Sequence, residues 1–269
     1  MEIDDYLSGR QKSRQRRKKY FFLGAALVIL YILLFSASWV VLRSPVFRVQ
    51  NVVIRGNDTV PSGDIMALLQ SSALRDHDFW KALLGFRNML IWPYSVAPDD
   101  LRMIPQLAAL TLSKDYFSHT ITATATERKP FGIWCLRPEA EEQCYWFDNE
   151  GTAFEKTFDT QGSLMFAVHD YSQGKVGLNG KVLPAPFVDN FISILTVIRE
   201  SGIDTKEIAL KNIDLQEMDI TTYNGPALYF SLRFPSDNDL PVLQSLMAKP
   251  SFGKLQYVDF RVENRAYYK

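Results

Sequence analysis

FFLGAALVILYILLFSASWVVL, residues 21–42, is a run of 22 residues without a charge. As a helix it is about 33 Å long, against a bilayer hydrocarbon core of about 30 Å. Fourteen of its residues are Leu, Ile, Val or Phe, and each such side chain favours insertion by about 0.3–0.6 kcal/mol. Gly24, Ser36 and Ser38 subtract little. Tyr20 and Trp39 lie near the ends, where amphipathic rings prefer to sit. The stretch is expected to be a single transmembrane helix, and it divides the chain.

On its N-terminal side stand Arg10, Lys12, Arg14, Arg16, Arg17, Lys18 and Lys19; only Arg43 and Arg48 closely follow it. The positive-inside rule puts residues 1–20 in the cytoplasm and 43–269 across the membrane. A cleavable leader is the competing reading, with Ser36-Ala37-Ser38 as a poor cleavage site. Such leaders have apolar regions of only about 7–15 residues. The zero formal net charge conceals +4 in residues 1–42 and −4 in the rest. A mildly acidic body argues against nucleic-acid binding, which needs positive charge on the folded surface.

Cys135 and Cys144, the only cysteines, fall in the exported part. Trp134-Cys135 and Cys144-Tyr145-Trp146-Phe147 read as strand fragments around a polar tip, Leu136–Gln143, with Pro138 as a turn signal. A disulfide stapling this hairpin is the expectation outside the cytoplasm, contributing about 2.5–3 kcal/mol in the chain-entropy model. Two free buried thiols are the alternative. No further Cys or His lies near in sequence to complete a metal site.

Val46–Ile54 reads as a strand ending at the turn cluster Arg55–Asp58. Pro61–Asp64 opens a helix through Ile65, Leu68 and Leu69, and Ala97–Asp100 opens a second that Pro105 closes. Leu107–Lys114 and Thr120–Thr126 are strands; in the latter Ile121, Ala123 and Ala125 alternate with threonines. The expected order is β-α-α-β-β, a small three-stranded sheet covered by two helices. From Phe131 hairpins are expected, with Leu164–Val168 as a short apolar run. Helices are expected at Phe187–Arg199 and Asp239–Ala248. Strands are expected at Glu207–Leu215, Asp219–Tyr223 and Ala227–Phe234, with Asn224-Gly225 as a hairpin signal. Leu255–Val262 and Arg265–Lys269 close the chain. The fold class is α+β, its second part mostly antiparallel.

The chain lacks the patterns of catalysis. His77, His119 and His169 are far apart in sequence, each a loop or turn histidine. There is no G-x-S-x-G, Walker or dinucleotide-binding glycine pattern. Asp99-Asp100 belongs to a helix start, and Glu139, Glu141 and Glu142 to a solvated hairpin tip. The expectation is no enzyme, no cofactor, no metal and no small-molecule substrate.

Pro45-Val46-Phe47 through Ile54-Arg55-Gly56-Asn57, directly after a membrane helix, resembles the opening of a POTRA domain. The run Ile121–Trp134 with its Glu127-Arg128-Lys129-Pro130 resembles the join between POTRA and β domain in the FtsQ/DivIB family of bacterial division proteins. Tyr145-Trp146-Phe147-Asp148, Gly151 and Phe154 continue that likeness. The tail from Leu255 to Lys269 is similar to that family's last strands. The resemblance spans the architecture: cytoplasmic basic tail 1–20, transmembrane helix 21–42, POTRA domain 45–128 and β domain 129–269. The long Ala73–Ala97 segment and the cysteine pair depart from the common pattern.

The resemblance implies a non-enzymatic bitopic scaffold of the divisome, in the plasma (inner) membrane at the division septum. It would link early and late division proteins and bind FtsL-like and FtsB/DivIC-like partners through an edge strand of the β domain. The residues allow such a mode. Val258, Phe260 and Val262 face one way, Tyr257, Asp259 and Arg261 the other, so Leu255–Val262 could offer a free backbone edge. Tyr257, Arg261, Asn264, Arg265, Tyr267 and Tyr268 are the candidate partner-binding residues; the competing reading makes this strand interior sheet. The runner-up function is a POTRA-bearing envelope assembly or export factor, whose usual β-barrel needs far more chain.

Overall fold

The computed structural model describes residues 3–74, 85–137, 143–159, 165–172 and 174–269. His77, the tip residues Pro138, Glu139, Glu141 and Glu142, Leu164, and 75–84 of the Ala73–Ala97 segment lie outside the described residues. The chain divides into two compact units. The first comprises Met1–Arg55, Leu69–Tyr94 and Leu112–Ala123; the second comprises Gly56–Leu68, Ser95–Thr111 and Thr124–Lys269.

Helix α1 (Ile3–Arg43) contains Tyr20–Val40, long and apolar enough to cross a membrane, with none of that window buried. Its apolar residues surround the axis rather than forming a stripe, the pattern of a helix meant for apolar surroundings. Ser44 Oγ accepts from Val46 N, and Pro45 opens a single 3-10 turn, Pro45–Phe47. Proline's fixed φ therefore delays the strand expected from Val46, and β1 is Asn51–Arg55.

Helix α2 (Ser62–Leu74) carries Asp64 in its first turn and buries Ile65, Leu68, Leu69 and Ala73. A 3-10 turn at Met89–Ile91 follows, capped by the Asn88 side chain. The second expected helix is a single turn, α3 (Pro98–Leu101). Ile104 precedes Pro105, a position that disfavours helical backbone. Strands β2 (Leu107–Asp115) and β3 (Thr120–Glu127) complete a three-stranded sheet in the order β1-β3-β2. In β3 the alternation holds: Ile121, Ala123 and Ala125 are buried.

Glu127, the last residue of β3, organises the loop before α2. Its carboxylate accepts the backbone N–H groups of Asp58 (2.9 Å), Thr59 (3.0 Å) and Val60 (2.9 Å), and the Thr59 hydroxyl at 2.6 Å. Gly56, at φ +76°, lets the loop approach: a Cβ there would run into the Ala125 carbonyl. Burial alone would raise the Glu127 carboxyl, but the Thr59 hydroxyl and the N–H groups of Val60, Thr59 and Asp58 outweigh it and hold it below the usual range. A depressed carboxylate contributes stability above its unfolded value, lost as pH falls through the folded one. Glu127→Gln should therefore lower stability near pH 7 by about 1–2 kcal/mol, discounted for partial exposure. The gap should close below about pH 4.3, measured by urea unfolding of both proteins across pH.

Beyond β3, Arg128 donates from its backbone N to Gln106 O (2.7 Å) and from Nε to Pro105 O (3.2 Å), while Nη1 pairs with Asp148. Asp148 is buried and also accepts from Glu150 N and Thr152 N. The strands that follow are β4 (Gly132–Leu136), β5 (Gln143–Phe147), β6 (Ala153–Thr157) and β7 (Ala167–Asp170). Helix α4 (Ala185–Ser201) leads to β8 (Thr205–Leu210), β9 (Glu217–Thr222) and β10 (Ala227–Ser231); α5 (Asp239–Met247) leads to β11 (Tyr257–Val262) and β12 (Arg265–Tyr268). They form one nine-stranded sheet, β12-β11-β10-β9-β8-β7-β4-β5-β6.

Five of the eight pairings are antiparallel; β4–β7, β7–β8 and β10–β11 are parallel. The sheet is thus mostly antiparallel, but it is not the run of hairpins expected from Phe131. Parallel neighbours need a crossover, usually helical. Helix α4 supplies it between β7 and β8, and α5 between β10 and β11. Both pack on one face of the sheet. There Trp134, Phe147 and Phe191 meet with centroids 5.5–6.5 Å apart, and Phe230 stacks on Phe260 at 5.0 Å. The strand expected over Glu207–Leu215 stops at Leu210, because Ile213–Leu215 forms a 3-10 turn capped by Asn212 and ended by Gln216 at φ +56°.

Asp239, in the first turn of α5, is buried, and burial, with Asp237 adding and Ser236 opposing, pushes its carboxyl up to about 6. A carboxyl raised above its unfolded value weakens the fold as pH climbs from about 4 through 6. Asp239→Asn should match the parent at pH 4 and exceed it at pH 7 by about 1–2 kcal/mol, after allowance for solvent screening, read from denaturant midpoints.

Candidate partner-binding edge and the open face of the sheet

The last two strands place the candidate residues. β11 pairs in parallel with β10 and antiparallel with β12, so Leu255–Val262 lies inside the sheet and is not its edge. The expected free edge belongs instead to β12, which among the described residues has a strand neighbour on one side only. The inversion has a local cause. Glu263-Asn264 forms a two-residue turn with Asn264 at φ +57°, folding the final residues back along β11. Asn264 has turn work to do, a left-handed position that Asn tolerates better than most residues. At the opposite edge, β6 is partly covered: Ala153 exchanges hydrogen bonds with Gly180 and Asn179, and Thr152 bridges Lys181.

In β11, Val258 and Phe260 are buried under the helices, whereas Val262 is exposed (47%). A register shift between Asp259 and Val262 takes Val262 out of the apolar row expected from sequence. Tyr257 and Arg261 lie on the face away from the helices, and Tyr267 stands opposite Asp259 on that same face. Tyr268 stands opposite Val258, under the Lys249 ammonium at 5.6 Å. Tyr267 and Tyr268 are each about half exposed; Arg265 is exposed, its Nη1 3.5 Å from the Tyr267 hydroxyl. The six candidates therefore divide between two faces and a turn.

The face away from the helices is a charged surface whose charges are matched. Arg261 binds Asp259 (Nη2–Oδ2 2.7 Å, Nε–Oδ1 2.9 Å) and Glu217 (Nη1–Oε2 2.8 Å), and lies over the Tyr229 ring at 5.0 Å. Hydrogen bonding to Asp259 and then Glu217 raises the guanidinium pKa further, and Arg261 in turn holds Asp259 below the carboxylate range. Lys211, at 2.5 Å from Asp219, is raised by that contact. A groove of about 440 Å³ runs among Lys211, Leu215, Glu217, Tyr229, Tyr257 and Arg261. Sequence reading missed Glu217 and Tyr229 as members. Their signal was available in the alternation of Glu217–Thr222 and Ala227–Ser231, but which strands neighbour β11 was not.

Farther along the same face, Cys135 and Cys144 sit directly opposite each other on β4 and β5 and are joined by a disulfide, Cα–Cα 4.1 Å. His169 Nε2 lies 3.2 Å from Asp159 Oδ2 and Nδ1 3.5 Å from Glu207 Oε1; Arg137 holds Asp159 at 2.7 Å. The Tyr171 hydroxyl donates to Glu207, which raises its pKa. Cys135, Asp159 and His169 place three metal-ligand atoms within 4.8 Å of one another. The sulfur is committed to the disulfide and Asp159 to Arg137, so the donor set does not fit a metal ion. His169 is thus a strand residue hydrogen-bonded to Asp159, while His119 sits in the β2–β3 turn at φ +53°.

Since Arg261 separates two carboxylates, Arg261→Ala should destabilise the protein by about 1–2 kcal/mol, whereas Tyr267→Ala should stay within about 0.5 kcal/mol. Parallel thermal and urea transitions check both. No family model and no curated protein matches the chain.

Proposed function

We propose that the chain is a bitopic, non-enzymatic scaffold of the bacterial divisome of the FtsQ/DivIB kind, with residues 1–20 cytoplasmic and 43–269 outside. Residues 45–128 act as a POTRA domain and 129–269 as the β domain. The observation that carries the reading is β12: a four-residue edge strand, open on one side among the described residues, with half-exposed tyrosines on both faces. An extended segment of an FtsL-like or FtsB/DivIC-like protein can add there as a tenth strand. Main-chain hydrogen bonds then supply affinity and alternate side chains supply selectivity. Tyrosine and arginine are the side chains most often found as binding hot spots.

Because β11 lies inside the sheet, its residues also hold the fold together. Proline at Tyr257 or Arg261 would break the sheet itself, and alanine at Arg261 would also free Glu217 and Asp259. The informative variant is the Tyr267→Ala, Tyr268→Ala pair in the full-length membrane protein. It should keep its thermal transition and lose at least about thirtyfold in affinity for FtsL/FtsB-like proteins, equivalent to about 2 kcal/mol. Undiminished co-purification with those proteins would place the contact elsewhere, with helix α4 the next surface to examine.

A further inference from the structure

The chain leaves α1 at Arg43, and what it meets next is unusual in composition. Within the first unit, the segment Val46–Gln50 is flanked on both sides. On one side is the β2–β3 turn: His119 Nδ1 lies 3.2 Å from Val46 O, Gln50 N donates to His119 O (2.9 Å), and the Phe47 and Tyr116 rings meet edge to face at 5.7 Å. On the other side Arg48 bridges Asn88, and Val49 N donates to Arg87 O at 2.7 Å. These flanks display large apolar side chains to solvent: Phe117 at 99% exposure, Phe86 at 48%, Val46 at 46% and Leu90 at 41%. Arg48 and Arg87 are exposed among them.

Phe117 is held out by a fixed turn. Asp115 Oδ1 accepts the N–H groups of both Phe117 (2.9 Å) and Ser118 (3.2 Å), and its carboxyl is held low, first by the Ser118 side chain and then by these backbone groups. Phe117 thus presents its whole ring to the surroundings, with Val46, Phe86 and Leu90 also exposed in this unit. Covalent geometry limits how far Val46 can lie from the membrane. From Val40 the helix runs three more residues at about 1.5 Å each, and Val46 is three residues beyond at no more than about 3.5 Å each. Val46 is therefore within about 15 Å of the hydrocarbon edge, of which the interfacial layer itself occupies about 5–8 Å. Exposed Phe, Leu and Val side chains gain by burial at the boundary of that layer, and arginines beside them favour anionic headgroups.

We propose that this surface, Phe117 with Val46, Phe86, Leu90, Arg48 and Arg87, is a second membrane contact: a foot that rests in the interfacial layer of the leaflet where α1 emerges. The inference rests on the reading of Tyr20–Val40 as a membrane span. It adds that the exported part is seated against the lipid and not merely tethered to it.

The two native cysteines are joined in a disulfide, so a single added cysteine can carry an environment-sensitive fluorophore. The full chain is reconstituted in phosphatidylcholine vesicles, with or without phosphatidylglycerol, carrying lipids spin-labelled either near the carbonyl or at mid-chain. A fluorophore at Ser118→Cys should be quenched more by the shallow spin label than by the deep one, and one at Leu30→Cys the reverse. Adding Phe117→Ser should lower the shallow quenching at position 118 at least about twofold. Replacing Arg48 and Arg87 by Glu should lower it in the phosphatidylglycerol vesicles more than in the neutral ones. Quenching at 118 by aqueous iodide alone, with position 30 still quenched at mid-chain, overturns the foot and leaves the span intact. Absence of mid-chain quenching at position 30 overturns the span reading and the foot with it.

Discussion

Three pairs of parallel neighbours constrain the nine-stranded sheet more than any other feature. Parallel strands cannot be joined by a tight turn, so the chain must travel back along the sheet before adding the next one. It does so twice through a helix, from β7 to β8 and from β10 to β11. All four strands run in the same direction and both steps move toward the same edge. Right-handed crossovers then put both helices on one face. That face becomes the core, filled by Trp134, Phe147, Phe191, Phe230 and Phe260.

The other face follows by exclusion. No helix among the described residues covers it; its outward-pointing positions on β9 and β11 are largely polar, while on β4 and β5 Ile133, Cys135, Cys144 and Trp146 form a small apolar cluster. Unpaired charges on a sheet are costly when like faces like, and here Arg261, Lys211 and Arg137 each stand beside a carboxylate. A pair as exposed as Lys211–Asp219 contributes little to stability on its own, whereas Arg261, shared by two carboxylates, contributes more. The larger effect of these pairs is to fix which side of the sheet meets water. The same constraint sets the edges. The step from β10 to β11 leaves one place at the end of the sheet, and the Asn264 turn brings β12 into it.

In the N-terminal part the corresponding device is electrostatic. The Glu127 carboxylate collects three successive backbone N–H groups from the loop before α2. An arrangement of consecutive N–H groups of this kind is an anion site; here the anion is the protein's own side chain. The adjacent residue, Arg128, ties β3 to the Pro105 carbonyl and to Asp148. Two neighbouring charged side chains thus hold both ends of the junction at which the sequence passes from one sheet to the next.

The apolar run 21–42, the alternation of Ile121, Ala123 and Ala125 and the helical spacing through Phe187, Phe191 and Ile194 were legible directly, because each is a periodicity within one segment. So was the location of the two cysteines on facing strands, a short-range matter of one hairpin. The second short helix was overestimated because apolar spacing outweighed the restriction that Pro105 places on Ile104. Strand neighbours were not legible. Whether Leu255–Val262 is edge or interior depends on where β10 and β12 lie, and no pattern within β11 encodes that. For the same reason Glu217 and Tyr229, members of the Arg261 cluster, could be seen as outward-facing residues but not as its partners. Sequence by itself determined the elements and their buried faces, through local sterics and side-chain polarity. Only the tertiary structure decided the order of strands, and with it the edge, the open face and the paired charges, because those are contacts between segments far apart in the chain.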